Sequence, residues 1–209
     1  MKTIQQFKEE VDQLPSTDLL KHVEYYRKNG DLIFAIDETL DIGHYDAKTK
    51  LTCEYGMALA ENQNYGEAYP ILIKAIELMN NDPFESERGF NNQETTFYQH
   101  LLFWFGVTTY HAKRHKESKS TFQRLLNLDP TNYKYKNWLQ ALQLEPINKT
   151  HKLLGWIFFV IVIVEIFLSE KIPDSLSSVY YATLFVFALM YLAIEGMKRN
   201  IKNKVKTTK

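Results

Sequence analysis

Residues 55–83, YGMALAENQNYGEAYPILIKAIELMNNDP, and residues 105–130, FGVTTYHAKRHKESKSTFQRLLNLDP, are two versions of one pattern. Each opens on an aromatic–glycine pair, Tyr55-Gly56 or Phe105-Gly106, in a first helix, and then meets a polar break. A second helix follows, with an aromatic residue, Tyr65 or His115, then a small one, Ala68 or Ser118, then a large one, Leu72 or Phe122, and then Ala75 or Leu125. Small residues let paired helices approach, and large ones fill the space between them. A proline, Pro83 or Pro130, closes each copy because it cannot continue a helical hydrogen-bond ladder. Ala68 and Ser118 are 50 residues apart. An earlier, degenerate copy has Gly30, Asp31, Leu32 and Ala35 at a turn and Thr39 as a poor filler, with Ala35 33 residues before Ala68.

This pattern resembles the tetratricopeptide repeat family, whose unit is a helix–turn–helix of about 34 residues. The resemblance covers residues 18–146 and implies an all-α stack of about three units. Single units cannot bury their faces, so such a stack needs a terminal cap; residues 132–146, NYKYKNWLQALQLEP, supply it, with Tyr133, Trp138 and Leu139 facing inward and Pro146 at its end. The 50-residue spacing implies an insertion of about 16 residues between the second and third units, in the loop 79–93, MNNDPFESERGFNNQ. Its Phe84 and Phe90 either anchor a partner or fold back onto the stack. What the family implies is binding rather than chemistry, because its first helices line a groove for a peptide or a partner's helix. By position the groove holds Lys50, Cys53, Met57 and Ala60 in the second unit, and His100, Phe103, Val107, Tyr110 and His111 in the third. Cys53 and Met57 stand where one subgroup places its carboxylate clamp, so carboxylate capture of that kind is not expected.

The remaining third of the chain is of another character. Residues 153–168 and 179–197 are two apolar runs, HKLLGWIFFVIVIVEIFLSE containing the first. At 1.5 Å per residue the second run spans about 28 Å, close to a bilayer's hydrocarbon core, and the first about 24 Å, which borrows from the residues after it. The expected organisation is therefore a repeat domain at 1–147, a transmembrane hairpin at 148–197 with spans 153–172 and 176–197, and a basic tail at 198–209. Pro173 and Asp174 supply turn and helix-start chemistry between the spans. The loop carries Lys171, whereas the outer flanks carry Lys149, Lys152, Lys198, Arg199, Lys202, Lys204, Lys206 and Lys209. The bias of basic residues toward the cytoplasmic side then places both termini in the cytoplasm. Trp156, Tyr180 and Tyr181 fall near the expected interfaces. Glu165, the one charge inside the first run, reads as a carboxylate reaching from the polar end of its helix toward water.

Formal charge sums to zero, with 25 basic and 25 acidic residues, but residues 1–147 hold 21 acidic and 16 basic side chains and residues 148–209 hold 4 and 9. An acidic soluble part is a poor match for nucleic acid, which needs clustered cations; the basic end beside apolar helices suits lipid headgroups. Cys53 is the single cysteine, so no internal disulfide is possible. The amino terminus reads as an amphipathic helix through Ile4, Phe7, Val11 and Leu14, without the apolar run of a signal peptide. His111 and His115 have a helical zinc spacing but no obvious third ligand. The sequon at Asn148 lies beside the bilayer on the cytoplasmic side and reads as fortuitous. No phosphate loop, nucleophile elbow or paired-carboxylate motif is present, so no catalytic residue, metal or cofactor is expected. The sequence thus describes a membrane-anchored, non-enzymatic adaptor that binds a protein or peptide on the cytoplasmic face. The alternative is an obligate subunit of a larger membrane complex, in which the hairpin carries specificity.

Overall fold

Thr3 starts the first helix. Its hydroxyl accepts from the Gln6 amide at 3.3 Å, and the Gln6 side chain accepts from the Thr3 amide at 2.9 Å, a reciprocal cap that satisfies two otherwise orphaned donors. The computed structural model describes residues 3–15, 18–168 and 174–206. Lys171, Pro173 and Lys209, and the side chains of Glu165, Asp174, Tyr180, Lys204 and Lys206, lie outside the described residues. All regular structure among the described residues is helical. The helices are α1 (Ile4–Asp12), α2 (Leu19–Phe34), α3 (Ile42–Glu61), α4 (Tyr65–Asn80), α5 (Glu85–Arg88), α6 (Thr96–His111), α7 (His115–Leu128), α8 (Tyr133–Leu168) and α9 (Asp174–Lys206), with a 3-10 turn at Asn92–Glu94. The chain divides into two compact units, Met1–Thr131 and Asn132–Lys209.

In the first unit α3 packs on α4 and α6 on α7, and α4 and α3 each pack on α6. The two hairpins share one local geometry, 50 residues apart. At the end of α3 the amide of Asn64 donates to the Leu59 carbonyl at 2.8 Å and that of Gln63 to Ala60 at 3.0 Å. At the end of α6, Arg114 donates to Thr109 at 2.8 Å and Lys113 to Tyr110 at 3.0 Å. This paired bonding ends a helix on a left-handed residue, and Gln63 and Lys113 both have φ 62°. The next helix then packs back at the glycine. A Cβ on Gly56 would lie 2.8 Å from Leu72 Cδ2, and one on Gly106 would lie 2.9 Å from Phe122 Cζ. Leu72, Ala75, Phe122 and Leu125 are buried beneath these crossings.

The earlier copy is different. The turn expected at 30–35 is absent, and α2 runs through Gly30 to Phe34. A single glycine costs a helix only about 1 kcal/mol, whereas Val23, Tyr26 and Ile33 hold the continuous helix against the core, all buried. The insertion is also ordered rather than a bare loop, since it forms α5 and the 3-10 turn.

The second unit is a pair of long helices packed on each other. This compact unit begins at Asn132, and residues 133–146 are the first turns of α8. The helix continues through Pro146, and the Thr150 hydroxyl donates to the Pro146 carbonyl at 3.1 Å one turn on. Residues 198–206 likewise continue α9. Across the pair the His151 ring lies 4.2 Å from that of Tyr191, and its Nε2 lies 3.9 Å from Glu195 Oε2. Two helices are long and apolar enough to cross a membrane, at Tyr133–Val164 and Tyr181–Asn203, and their apolar side chains face outward.

Candidate functional site

A hollow in the first unit lies where α2 ends, α3 begins and α4 ends. Asp41 starts α3 by accepting from the His44 amide at 2.8 Å. Tyr45, Lys48 and Thr52 follow at spacings of three, four and seven, which places them on one face. Opposite stand Lys74, Glu77 and Leu78 of α4, with Phe34, Glu38 and Thr39 at the near end and Pro83 at the far end. Together they enclose about 520 Å³, within the range of ligand-binding clefts.

The turn before α3 is made rigid by Asp37, whose carboxylate accepts from the Thr39 amide at 3.0 Å and its hydroxyl at 2.7 Å. That rigidity aims two acceptors at Lys48, whose Nζ donates to the Ile36 carbonyl at 2.8 Å and to Glu38 Oε2 at 2.5 Å. The Lys48 side chain is only 14% exposed, and the hydrogen bond from Lys48 holds the Glu38 carboxyl below its ordinary range. An ammonium has three donors, and two of those of Lys48 are taken by these acceptors. One turn on, the Thr52 hydroxyl is fully buried and meets no protein partner. Lys74 crosses the rim with Nζ 4.4 Å above the Phe34 ring and no ion pair among the described residues.

Tyr45 closes the floor. Its hydroxyl donates to the Leu78 carbonyl at 2.7 Å, and burial, then the nearby Asp82 charge, push its pKa up to about 12. Beyond it the insertion is pinned by charge: Asp82, its side chain 1% exposed, accepts from Asn92 Nδ2 at 2.7 Å and from the Phe84 amide at 2.8 Å, and lies 3.1 Å from Arg88 Nε. Arg88 also pairs with Asp46 and sits 5.1 Å above the Tyr45 ring. Phe84 packs edge-on to Tyr45, so it folds back, whereas Phe90 stays 51% exposed beside Arg88.

The residues expected to line a groove are distributed otherwise. Cys53, Met57 and Ala60 are buried in the core, and Lys50 is exposed, 3.7 Å from Glu54. Phe103 stands edge-on to Phe122 at 6.1 Å, Val107 is buried, and Tyr110 stands edge-on to His115 at 5.6 Å. That stripe packs against α7, because the first helix of a hairpin must bury a whole face against its second. His111 stacks on Tyr65 of α4 at 4.2 Å, with its pKa lowered by burial, and His100 accepts from Trp104 Nε1 at 3.0 Å at the surface. His111 and His115 therefore each engage a tyrosine ring, and no cluster of three metal-ligating side chains occurs among the described residues. Tyr45, Lys48, Thr52 and Lys74 were not singled out by the repeat pattern. The signal was a lysine and a threonine four apart on an otherwise apolar face of α3.

Comparison with protein-family models, with curated proteins and with solved structures finds no match.

Proposed function

We propose that this protein is a membrane-anchored adaptor of tetratricopeptide-repeat type, whose helical unit holds a polypeptide partner on the cytoplasmic face. The observation that carries the reading is the pairing of two unlike units in one chain. One is a polar helical unit with a hairpin geometry repeated at Gly56 and Gly106; the other is a pair of long helices with outward apolar faces. A repeat of that kind builds surface rather than chemistry. The hollow offers a buried hydroxyl at Thr52, a half-buried ammonium at Lys48 and an exposed one at Lys74, beside the apolar walls of Phe34, Leu78 and Pro83. That combination suits a peptide segment presenting a carbonyl or carboxylate next to an apolar side chain. Exposed His100 and Lys50 are secondary contact positions.

The test uses a photo-crosslinking residue at Glu77, on the rim of the hollow, in the full chain, in native membranes, with a second chain whose hairpin is replaced by an unrelated anchor. An adaptor keeps the same crosslinked partner after the swap and loses it with Thr52→Val combined with Lys74→Ala. Loss of the partner on anchor replacement alone would instead favour the obligate-subunit reading. Topology is checked by labelling Ser177→Cys, which should react from outside intact cells, and Lys209→Cys, which should react only after permeabilisation. The native Cys53 adds no background, because it is buried and burial pushes its thiol pKa up. Outside labelling at position 209 would overturn the orientation.

A further inference from the structure

Lys152, Gly155, Trp156 and Phe159 occupy positions i, i+3, i+4 and i+7 of α8 and so share one face. They line a shallow recess of about 320 Å³. The recess exists because Gly155 has no side chain, and a Cβ built there meets nothing within 4 Å. Its walls are the rings of Trp156 and Phe159, set edge to face at 5.9 Å and 66% and 52% exposed. Lys152 stands at the polar end of the notch. Lys149 is answered by Glu145 at 3.0 Å and Arg199 by Glu195 at 3.8 Å, whereas Lys152 has no acidic partner among the described residues.

We propose that this notch seats one anionic phospholipid, with its phosphate on the Lys152 ammonium and an acyl chain laid over Gly155 between Trp156 and Phe159. The proposal rests on the membrane-anchored reading, which puts residue 152 at headgroup depth and residues 155–159 at the start of the acyl region. The occupant follows from the order of the chemistry along the helix. A cation comes first, then an amphipathic indole of the kind found at membrane interfaces, then an apolar ring. A soluble anion would use only the lysine, and a neutral lipid would gain nothing from it. One lysine at an anionic surface is worth roughly a fivefold preference.

The experiment makes Trp156 the single tryptophan of the full chain with Trp104→Phe and Trp138→Phe, helicity being checked by circular dichroism. The protein is placed in phosphatidylcholine vesicles containing a small fixed fraction of lipid with brominated acyl chains, either phosphatidylglycerol or phosphatidylcholine. Bromine quenches indole fluorescence on contact. Brominated phosphatidylglycerol should quench as though enriched about fivefold, and Lys152→Ala or Gly155→Leu should reduce it to the phosphatidylcholine level. Equal quenching by both lipids in the unsubstituted face would overturn the seat while leaving the membrane reading intact. Quenching by neither would overturn the membrane reading itself. Preferential quenching that survives both substitutions would place the lipid elsewhere, and abolition of the preference by added inorganic phosphate would assign the site to a soluble anion.

Discussion

The crossing of α6 and α7 in the first unit can be tested by one methyl group. In Gly106→Ala the new Cβ would sit 2.9, 3.0 and 3.2 Å from three carbons of the Phe122 ring. Those distances are well inside van der Waals contact, so the ring or the helix must move. Phe122 is fully buried, with Phe103 edge-on at 6.1 Å, and has little room to retreat. Overpacking of this kind costs about 1–3 kcal/mol. Against it stands the gain of about 0.5–1 kcal/mol when alanine replaces glycine within a helix. The net expectation is a loss of about 1–2 kcal/mol, or about 2–8 °C in melting temperature for a chain of this size. Gly66→Ala in α4 is the control, because a Cβ there meets nothing within 4 Å; the same chemical change should leave stability level or raise it slightly. The assay is thermal unfolding of the full chain in mild detergent, followed by circular dichroism. Adding Phe122→Leu to Gly106→Ala should recover part of the loss, with the coupling read from a double-mutant cycle. A Gly106→Ala variant as stable as the parent, or a double mutant whose losses simply add, would refute the close-crossing argument.

Lys113 holds φ 62°, where glycine is at ease and a side chain costs about 1–2 kcal/mol; Lys113→Gly should raise stability by up to about 1 kcal/mol after the entropy of the freer unfolded chain, seen as a small rise in melting temperature. Arg88→Met should leave Asp82, 1% exposed, without its cation and loosen the insertion. The expected cost is about 3 kcal/mol, read as faster amide exchange at residues 82–95 than in α6. Acid should destabilise the turn before α3. Glu38 has its folded pKa lowered by the hydrogen bond from Lys48, so its contribution is present above the unfolded value and lost as pH falls through the folded one. Melting temperature should therefore fall on acidification below about pH 4, and Glu38→Gln should flatten that fall while lowering stability at neutral pH.

Part of the architecture was readable directly. Gly56 and Gly106 with Leu72 and Phe122 marked helix crossings because only a missing Cβ permits that approach, and the structure puts those pairs in contact. The apolar runs stood out because their length and composition have no place in a polar unit this small. The repeat pattern was less reliable where the same letters fit two structures. Gly30 reads as a turn in the degenerate copy but is one residue inside a helix whose buried face, Val23, Tyr26 and Ile33, continues past it. Pro146 reads as a stop, yet α8 continues through it. A proline removes one hydrogen bond and can be absorbed when the helix on both sides is held by packing.

The candidate site was the least legible part, for a reason of geometry. Which face of α6 is free depends on where α7 lies, and the spacing of Phe103, Val107 and Tyr110 shows only that they share a face. Tertiary packing set α7 against that stripe and left the hollow at the other hairpin, where Lys48 and Thr52 of α3 meet Phe34 of α2 and Lys74 of α4. These residues are far apart in sequence and obey no repeat. By itself the sequence determined helix type, the two closest crossings and the apolar pair of helices, since those follow from local composition and period. Only the tertiary structure decided which side chains are covered, that the insertion is pinned through Asp82 and Arg88, and where donors are left unmatched, because those depend on contacts between segments that no local period encodes.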